Sequence, residues 1–409
     1  ENGCAPARNS SPRRRCGITG LIVILCLPAF AQADPAPTTA KAYVATGFSR
    51  KTIYHSPQKP GYTSWVGAWQ MPDKSLMVCF TQATGPLTAR PRAPQDLRQK
   101  LAIPDKFDFT GLDLRQVYLR SADGGAHWNE VGSTRFESIG ASAYAGSATL
   151  GLPDGSILRR VNGWDLQHRD VPQTAYLQRS DDGGKTWGNP QVLFDPATSL
   201  YQLSRLRILK DGRIVGTGQF WPAPAKSSHK ELEKVQDQLL LVVSDDNGKT
   251  WRRHDVVPPE LRDVVWDEWD QAELPDGDLL CVFRRGDPKN ARKEVRWQGL
   301  LKKTRDTWTL EDFRPAPFPH SGHPELLATR EGIILHIATT GIQYTADAGK
   351  TWNVLDVPGF AGEYKSRYYP RSLQTDDSRI YIFAHNGWDQ PYGEFDQSID
   401  MDTFRLVPR

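Results

Sequence analysis

The sequence predicts an all-β protein folded as a six-bladed β-propeller, and three observations carry that reading. An octet rich in acid and glycine recurs four times, a tight turn followed by a short apolar run recurs six times, and the 13 Trp, 34 Gly and 30 Pro of the 409 residues suit short strands joined by turns. Repeats of roughly 40 to 80 residues hold enough chain for four strands each, and such units bury both sheet faces by stacking radially, which leaves few exposed edges.

The octets are SADGGAHW (Ser121–Trp128), SDDGGKTW (Ser180–Trp187), SDDNGKTW (Ser244–Trp251) and TADAGKTW (Thr345–Trp352). Their shared hydroxyl, Asp, Gly and Trp read as a self-contained hairpin turn. The carboxylate accepts turn N–H groups, the Gly supplies a positive φ, and the Trp packs beneath, between sheets. A calcium loop needs oxygen ligands at alternating positions and a distant bidentate Glu, and no octet has that Glu at a repeated offset. KTRDTWTL (Lys303–Leu310) reads as a shortened octet and SIDMDTFRL (Ser398–Leu406) as a last relic.

The second repeat begins at Met71 (MPDKSLMVCF), Leu152 (LPDGSILRRV), Leu209 (LKDGRIVGTG), Leu274 (LPDGDLLCVF), Thr329 (TREGIILHIA) and Thr375 (TDDSRIYIFA). An Asp-Gly pair between apolar runs is a strong hairpin signal. A strand at Ala42–Phe48 is expected to pair into the last blade and close the ring. Long insertions at Thr84–Leu114 and Pro222–Val235 are expected to decorate one face, where binding loops reside.

Ahead of the propeller, Arg13, Arg14 and Arg15 precede the apolar run GITGLIVILCLPAF and the small-residue site Ala31-Gln32-Ala33. This reads as a signal peptide with a basic leader over residues 1–33, followed by a single propeller domain over 34–409, secreted or periplasmic. A net charge of +3, part of it in the leader, gives no support to a nucleic-acid partner, or to a membrane partner after cleavage. Cys79 and Cys281 sit in apolar strands of different repeats and read as buried free thiols. No cofactor or metal signature is present, His320 and His323 being poorly spaced as ligands within a Gly/Pro-bearing segment.

The strand before each Asp-Gly turn is expected to be innermost. Eight residues before the turn's acidic position stand Trp65, Gly146, Leu203, Glu268, His323 and Tyr369; six before it stand Gly67, Ala148, Arg205, Asp270, Glu325 and Arg371. Charge gathers on the second half of the ring, which makes a polarised pocket. Buried charges of this kind either pair with one another, as a plug of the channel, or serve a ligand.

The octets resemble the Asp-box, or bacterial neuraminidase repeat, of the sialidase superfamily, whose members are six-bladed propellers. That resemblance implies a glycosidase with a tyrosine nucleophile and a glutamate partner. YPRSLQTDD sets Tyr369, and DEWDQAELPDGDLLCVFR sets Glu268 and Arg284, at the superfamily's offsets. A carboxylate beside a phenol takes its proton as it attacks the anomeric carbon. By analogy an aspartate before the first octet protonates the leaving group. Asp105, Asp108 and Asp113 are available, and Asp113 is preferred.

The three arginines that hold a sialic acid carboxylate are not all matched. Blade one has Trp65 in YTSWVGAWQMPD, and blade five has His320 and His323 in PHSGHPELLATREG. Arg205 and Arg371 offer a different anion clamp, with Asp270 beside them, while Trp65 and Trp69 offer faces for stacking on a sugar. The expected partner is therefore a carbohydrate, an acidic or modified sugar at the end of an oligosaccharide or polysaccharide. His323 is expected in acid/base work or substrate contact. Two other readings stay open: a histidine-centred enzyme resembling propeller rhamnosidases or rhamnosyl-glucuronate lyases, and a non-catalytic glycan- or protein-binding propeller.

Overall fold

The computed structural model describes residues 42–409 except 59–61, 87, 104–107, 140–147, 288–289, 318–322, 339–340, 360–366 and 387–396, with the backbone alone for 286–287, 290–294 and 367–368. The expected signal segment over 1–33, together with Asp105, Gly146 and His320, lies outside the described residues.

Six antiparallel sheets follow one another along the chain. Blade one is built from Tyr62–Gln70, Leu76–Thr84, Asp113–Ser121 and Asn129–Phe136, and blade two from Thr149–Gly151, Ile157–Asn162 and Ala175–Ser180. Blade three holds Leu200–Ile208, Ile214–Trp221, Gln238–Ser244 and Arg252–His254; blade four holds Trp269–Glu273, Leu279–Asp287, Asn290–Thr304 and Thr307–Pro315. Blade five holds Glu325–Ala328, Ile334–Ala338, Gly341–Thr345 and Asn353–Val354. Blade six joins Arg367–Gln374, Arg379–Asn386 and Ser398–Pro408 to Tyr43–His55 from the other end of the chain.

The ring closes as expected. Tyr43 pairs with Pro408 and His55 with Ser398, with two register shifts between them. SIDMDTFRL makes no turn: it lies wholly inside the third strand of blade six, its outer neighbour being that N-terminal strand. The first strands of blades one, two and three touch in succession, as do those of four, five, six and one, so these strands line the axis. Each insertion carries a helix, Gln95–Leu101 in the first and His229–Leu232 in the second.

In blades one, three and five the octets are the turns between third and fourth strands, and in blade two the octet follows the third strand. In blade two the Ser180 hydroxyl donates to Asp182 Oδ1 at 2.8 Å and accepts the Gly184 N–H at 2.8 Å, while Asp182 takes the N–H groups of Lys185 and Thr186 at 3.0 and 2.9 Å. Gly184 has φ +93°, and a Cβ there would stand 3.4 Å from the Tyr118 ring of blade one, so the position needs glycine for conformation and is tight for space. The hydroxyl and N–H donors of Thr186 hold the Asp182 carboxyl well below the usual carboxylate range, leaving it committed to the turn. In blade four the relic turns tightly at Arg305-Asp306 and keeps its tryptophan.

Apolar side chains fill the interfaces between blades. Val243, Trp269, Cys281, Phe283 and Trp308 pack between blades three and four, and Leu335, Ile337, Ile380, Ile382 and Phe404 between five and six. Cys79 and Cys281 are buried free thiols, and burial pushes the Cys79 thiol up to about 11. Trp308 is 1% exposed, with the Arg213 guanidinium 4.9 Å above its ring. Trp308→Ala should cost about 3–5 kcal/mol in denaturant unfolding, because a rigid sheet pair relaxes poorly around a lost indole; a cost under about 1 kcal/mol would show that the relic packs nothing of consequence.

Candidate active site

The first strands of blades one, three and six are broken by bulges, and those of blades one and six are alike. In blade six Tyr368 pairs with His385 and Arg371 with Phe383, so Tyr369 and Pro370 face the single residue Ala384. In blade one Ser64 pairs with Thr81 and Gly67 with Cys79, so Trp65 and Val66 face Phe80. Both bulges begin at a residue forced to positive φ, 52° at Tyr369 and 60° at Trp65. Such backbone is strained for a large side chain, and a bulge re-aims the side chain it carries. Here the two rings meet with centroids 4.1 Å apart.

Tyr369 Oη donates to Glu268 Oε2 at 3.3 Å. Arg284 Nη1 donates to the same Glu268 oxygen at 2.7 Å and to Tyr369 Oη at 3.4 Å. The pairing of Glu268 with Arg284 is local to blade four, where the Arg284 N–H also donates to the Glu268 carbonyl at 2.9 Å and prolongs the first hairpin by one rung. Burial raises the Glu268 carboxyl above the ordinary glutamate range against the pull of Arg284, so it holds a proton more readily than a surface glutamate.

Tyr369 and Glu268 line a cavity of about 160 Å³ together with Trp65, Arg160, Gln202, Ser204, Gln219, Asp267 and His323. At roughly 30 Å³ per water the space equals about five waters, so it suits one small polar unit. His323 is 2% exposed, and its ring centroid lies 6.0 Å from that of Tyr369. Its Nδ1 lies 2.6 Å from the Pro324 carbonyl, to which it donates. Burial, reinforced by Arg371 and Arg205, holds His323 well below the ordinary histidine value, so the ring is neutral. A neutral ring whose proton is committed to a carbonyl can accept a hydrogen bond but is a poor acid.

Arg205, Asp270 and Arg371 do not line this cavity; they belong to a buried ion-pair cluster. Asp270, fully buried, takes Arg205 at 3.3 and 3.2 Å, Arg207 at 3.2 and 2.6 Å, and the Leu326 N–H at 2.7 Å. Glu325 pairs with Arg205, stands 3.6 Å from Arg371, and accepts the Ser372 N–H and hydroxyl, each at 2.6 Å. Of the two readings of these residues the structure favours the plug, because a guanidinium matched to a buried carboxylate has no charge to spare for a ligand.

Asp113 is also elsewhere. It pairs with Arg115 at 2.9 Å and Arg135 at 3.0 Å and lines a separate, wider cavity of about 720 Å³. The hydrogen-bonded Tyr369 and Glu268 line the smaller cavity instead. Asp108 is buried, accepting the Ala93 and Thr110 N–H groups at 3.0 Å each. Trp69 packs with Tyr118 and Ile157 in the core, whereas Trp65 does reach the cavity. Leu203, placed on the ring by the eight-residue count, is core. A one-residue bulge beside it puts Ser204 on the cavity instead.

The BNR/Asp-box repeat family matches residues 242–253, the stretch that holds the third octet. No curated protein matches the chain by sequence. Among solved structures, the alpha-L-arabinofuranosidase of Fusarium graminearum superposes with a TM-score of 0.58 at 14% identity, over 87% of this chain and 97% of that one. The alpha-L-arabinanase of Penicillium chrysogenum, complexed with arabinobiose, gives 0.55 at 14% identity over 86% and 97%. The intramolecular trans-sialidase of Ruminococcus gnavus gives 0.53 at 12% identity over 86% and 96%. The chain carries an Asp-box repeat and shares its propeller fold with these solved structures. At these identities the likeness is one of fold, and the site must be argued from its own residues.

Within this propeller, Arg160, Gln202, Ser204, Gln219 and Asp267 are the cavity residues that counting along the first strands missed. Arg160 and Gln219 lie on second strands, which the count did not visit. Asp267 had a visible signal, standing directly before Glu268, whose N–H it accepts at 2.8 Å.

The plug makes a stability prediction. Burial alone would raise the Asp270 carboxyl, yet Arg205 and Arg207 overcome it and hold the group far below the usual range. A depressed carboxylate stabilises the fold above its unfolded pKa of about 3.9, and that stability is lost as pH falls below about 4. Asp270→Asn should cost about 3–5 kcal/mol at neutral pH in denaturant unfolding, and its loss on acidification should be shallower than the wild type's.

Proposed function

We propose that the chain is a secreted or periplasmic glycosidase that removes a terminal sugar from a glycan, with Tyr369 as nucleophile and Glu268 as its base. The observation that carries this is a phenol within hydrogen-bond reach of a raised carboxyl, both bridged by Arg284, on a strained bulge at the wall of a polar cavity. The basic leader and apolar run ahead of the propeller support export. That solved propellers of this fold include an arabinofuranosidase, an arabinanase and a trans-sialidase supports a glycan as the substrate.

In this reading Tyr369 Oη bonds the anomeric carbon while its proton passes to Glu268. The glycosidic C–O bond breaks, and the leaving oxygen takes a proton from solvent. Water then attacks the same carbon, whose bond to Tyr369 Oη breaks; the water's proton passes to solvent and Glu268 returns the phenol's proton, so the configuration is retained. Arg284 holds Glu268 and the phenol oxygen in line throughout. Asp267, fixed by the Glu268 N–H and 3.6 Å from Arg284, faces the cavity as a second carboxylate able to offset the positive charge that develops on the sugar ring. The acidic character expected of the sugar rested on Arg205 and Arg371; with both engaged in the plug and away from the cavity lining, we take the terminal sugar to be neutral.

Nitrophenyl α-L-arabinofuranoside and methylumbelliferyl N-acetylneuraminate test the reading directly, with turnover expected on the neutral reporter. Tyr369→Phe and Glu268→Gln should each lower kcat by about a hundred- to ten-thousand-fold without loss of fold. Near-wild-type activity in either removes this mechanism. An ultraviolet-absorbing unsaturated uronate from acidic oligosaccharides would put a histidine-centred lyase in its place, and glycan binding without product a binding propeller.

The pH profile has a definite sign. A base must be unprotonated, so kcat/KM should fall on the acid side through a pKa above the ordinary glutamate value, as the raised Glu268 carboxyl requires. The acid limb should be absent from whatever activity remains in Glu268→Gln.

A further inference from the structure

His323 lines the cavity with half of its hydrogen bonding complete. Nδ1 is tied to the Pro324 carbonyl at 2.6 Å, while Nε2 is buried and has no partner among the described residues. With its proton on Nδ1, the ring carries a lone pair on Nε2, so the open atom can only accept. Leaving a buried acceptor unmet costs on the order of 1–3 kcal/mol, a penalty the site recovers when a donor arrives.

His323 also stands eight residues before the acidic position of its blade's turn, at the inner end of blade five. An arginine in such a place donates only, and suits a carboxylate. His323 Nε2 does the opposite, repelling a carboxylate oxygen and accepting from a hydroxyl. The groups around the ring reinforce the distinction, since Arg205 and Arg371 are paired with Asp270 and Glu325 away from the cavity lining, so that Nε2, and neither of those guanidiniums, meets the ligand.

We propose that His323 Nε2 accepts a hydrogen bond from a hydroxyl of the bound sugar, which makes His323 a specificity-determining residue for a neutral sugar at this point of the site. The proposal rests on the glycosidase reading for its ligand class and not for its chemistry, because binding through His323 requires no turnover. A site built to bond a hydroxyl discriminates sharply against a ligand that lacks it, since the buried acceptor is then stranded.

Histidine nitrogen NMR on the isotopically labelled full chain tests it, with methyl α-L-arabinofuranoside, methyl β-D-galactopyranoside and N-acetylneuraminic acid as probes. The free chain should show His323 protonated at Nδ1 and bare at Nε2, and at least one neutral sugar should move the Nε2 signal toward its hydrogen-bonded range. His323→Leu should weaken binding of that sugar by about tenfold or more, whereas His323→Gln, whose amide oxygen can stand in for Nε2, should stay within about threefold of wild type. The proposal is overturned if Nε2 is protonated in the free chain, if none of the three sugars moves it, if only N-acetylneuraminic acid does, or if the leucine variant binds as well as wild type. A chain that binds a neutral sugar through His323 yet hydrolyses no reporter refutes the glycosidase reading and leaves this one standing.

Discussion

Asp270 is the interaction on which the rest of this structure depends. Its carboxylate lies on the first strand of blade four, receives Arg205 and Arg207 from blade three, and accepts the Leu326 N–H of blade five. Glu325 of blade five then reaches Ser372 of blade six. The sequence of ties therefore runs through blades three, four, five and six, which are the blades that present Ser204, Glu268, His323 and Tyr369 to the cavity. Crowding first strands around one axis removes water from whatever side chains they carry there, so the charges must be matched in place. Once matched they hold four blades in register, which gives the cavity walls a fixed spacing.

The other half of the ring is arranged by apolar and aromatic packing. Trp65, Tyr62, Phe109 and Tyr369 belong to one buried cluster, in which the Tyr62 and Phe109 rings lie 5.0 Å apart. The first insertion, which contributes Phe109, thus supports the wall that carries the nucleophile proposed above. Two facing bulges make that contact possible, since regular pairing would turn Trp65 and Tyr369 along the pleat and away from each other.

Much of the fold was legible because its signals are local and repeated. An octet that completes its own hydrogen bonds looks the same in each of the four blades that carry it, and an Asp-Gly turn needs no distant partner. Glu268 and Arg284 were legible for the same reason, as neighbours across a single hairpin. Counting residues fails where the backbone slips: the bulge in blade three exchanges Leu203 for Ser204. It also fails where a side chain's role is set by another blade. The six-residue ring put Arg205, Asp270, Glu325 and Arg371 together and left pairing and ligand binding both open, and only the distances across blades decide for pairing; nothing around Asp113 announces Arg135. Arg160 stayed hidden because an arginine on a second strand carries no register mark, although two consecutive arginines in a fully buried strand were a signal of unusual surroundings.

The closure of blade six sets an order on events. Tyr43–His55 emerges first and its partner, Ser398–Pro408, emerges last, so the longest-range pairing in the ring is also the final one. Until then the early strand is an edge without a neighbour, the kind of segment that recruits other chains. Its own residues blunt that hazard. Ser49, Arg50 and Lys51 remain exposed even after closure, so the waiting strand shows solvent a hydroxyl and two cations where an apolar edge would invite aggregation. The strand that seals the propeller is thereby also built to wait.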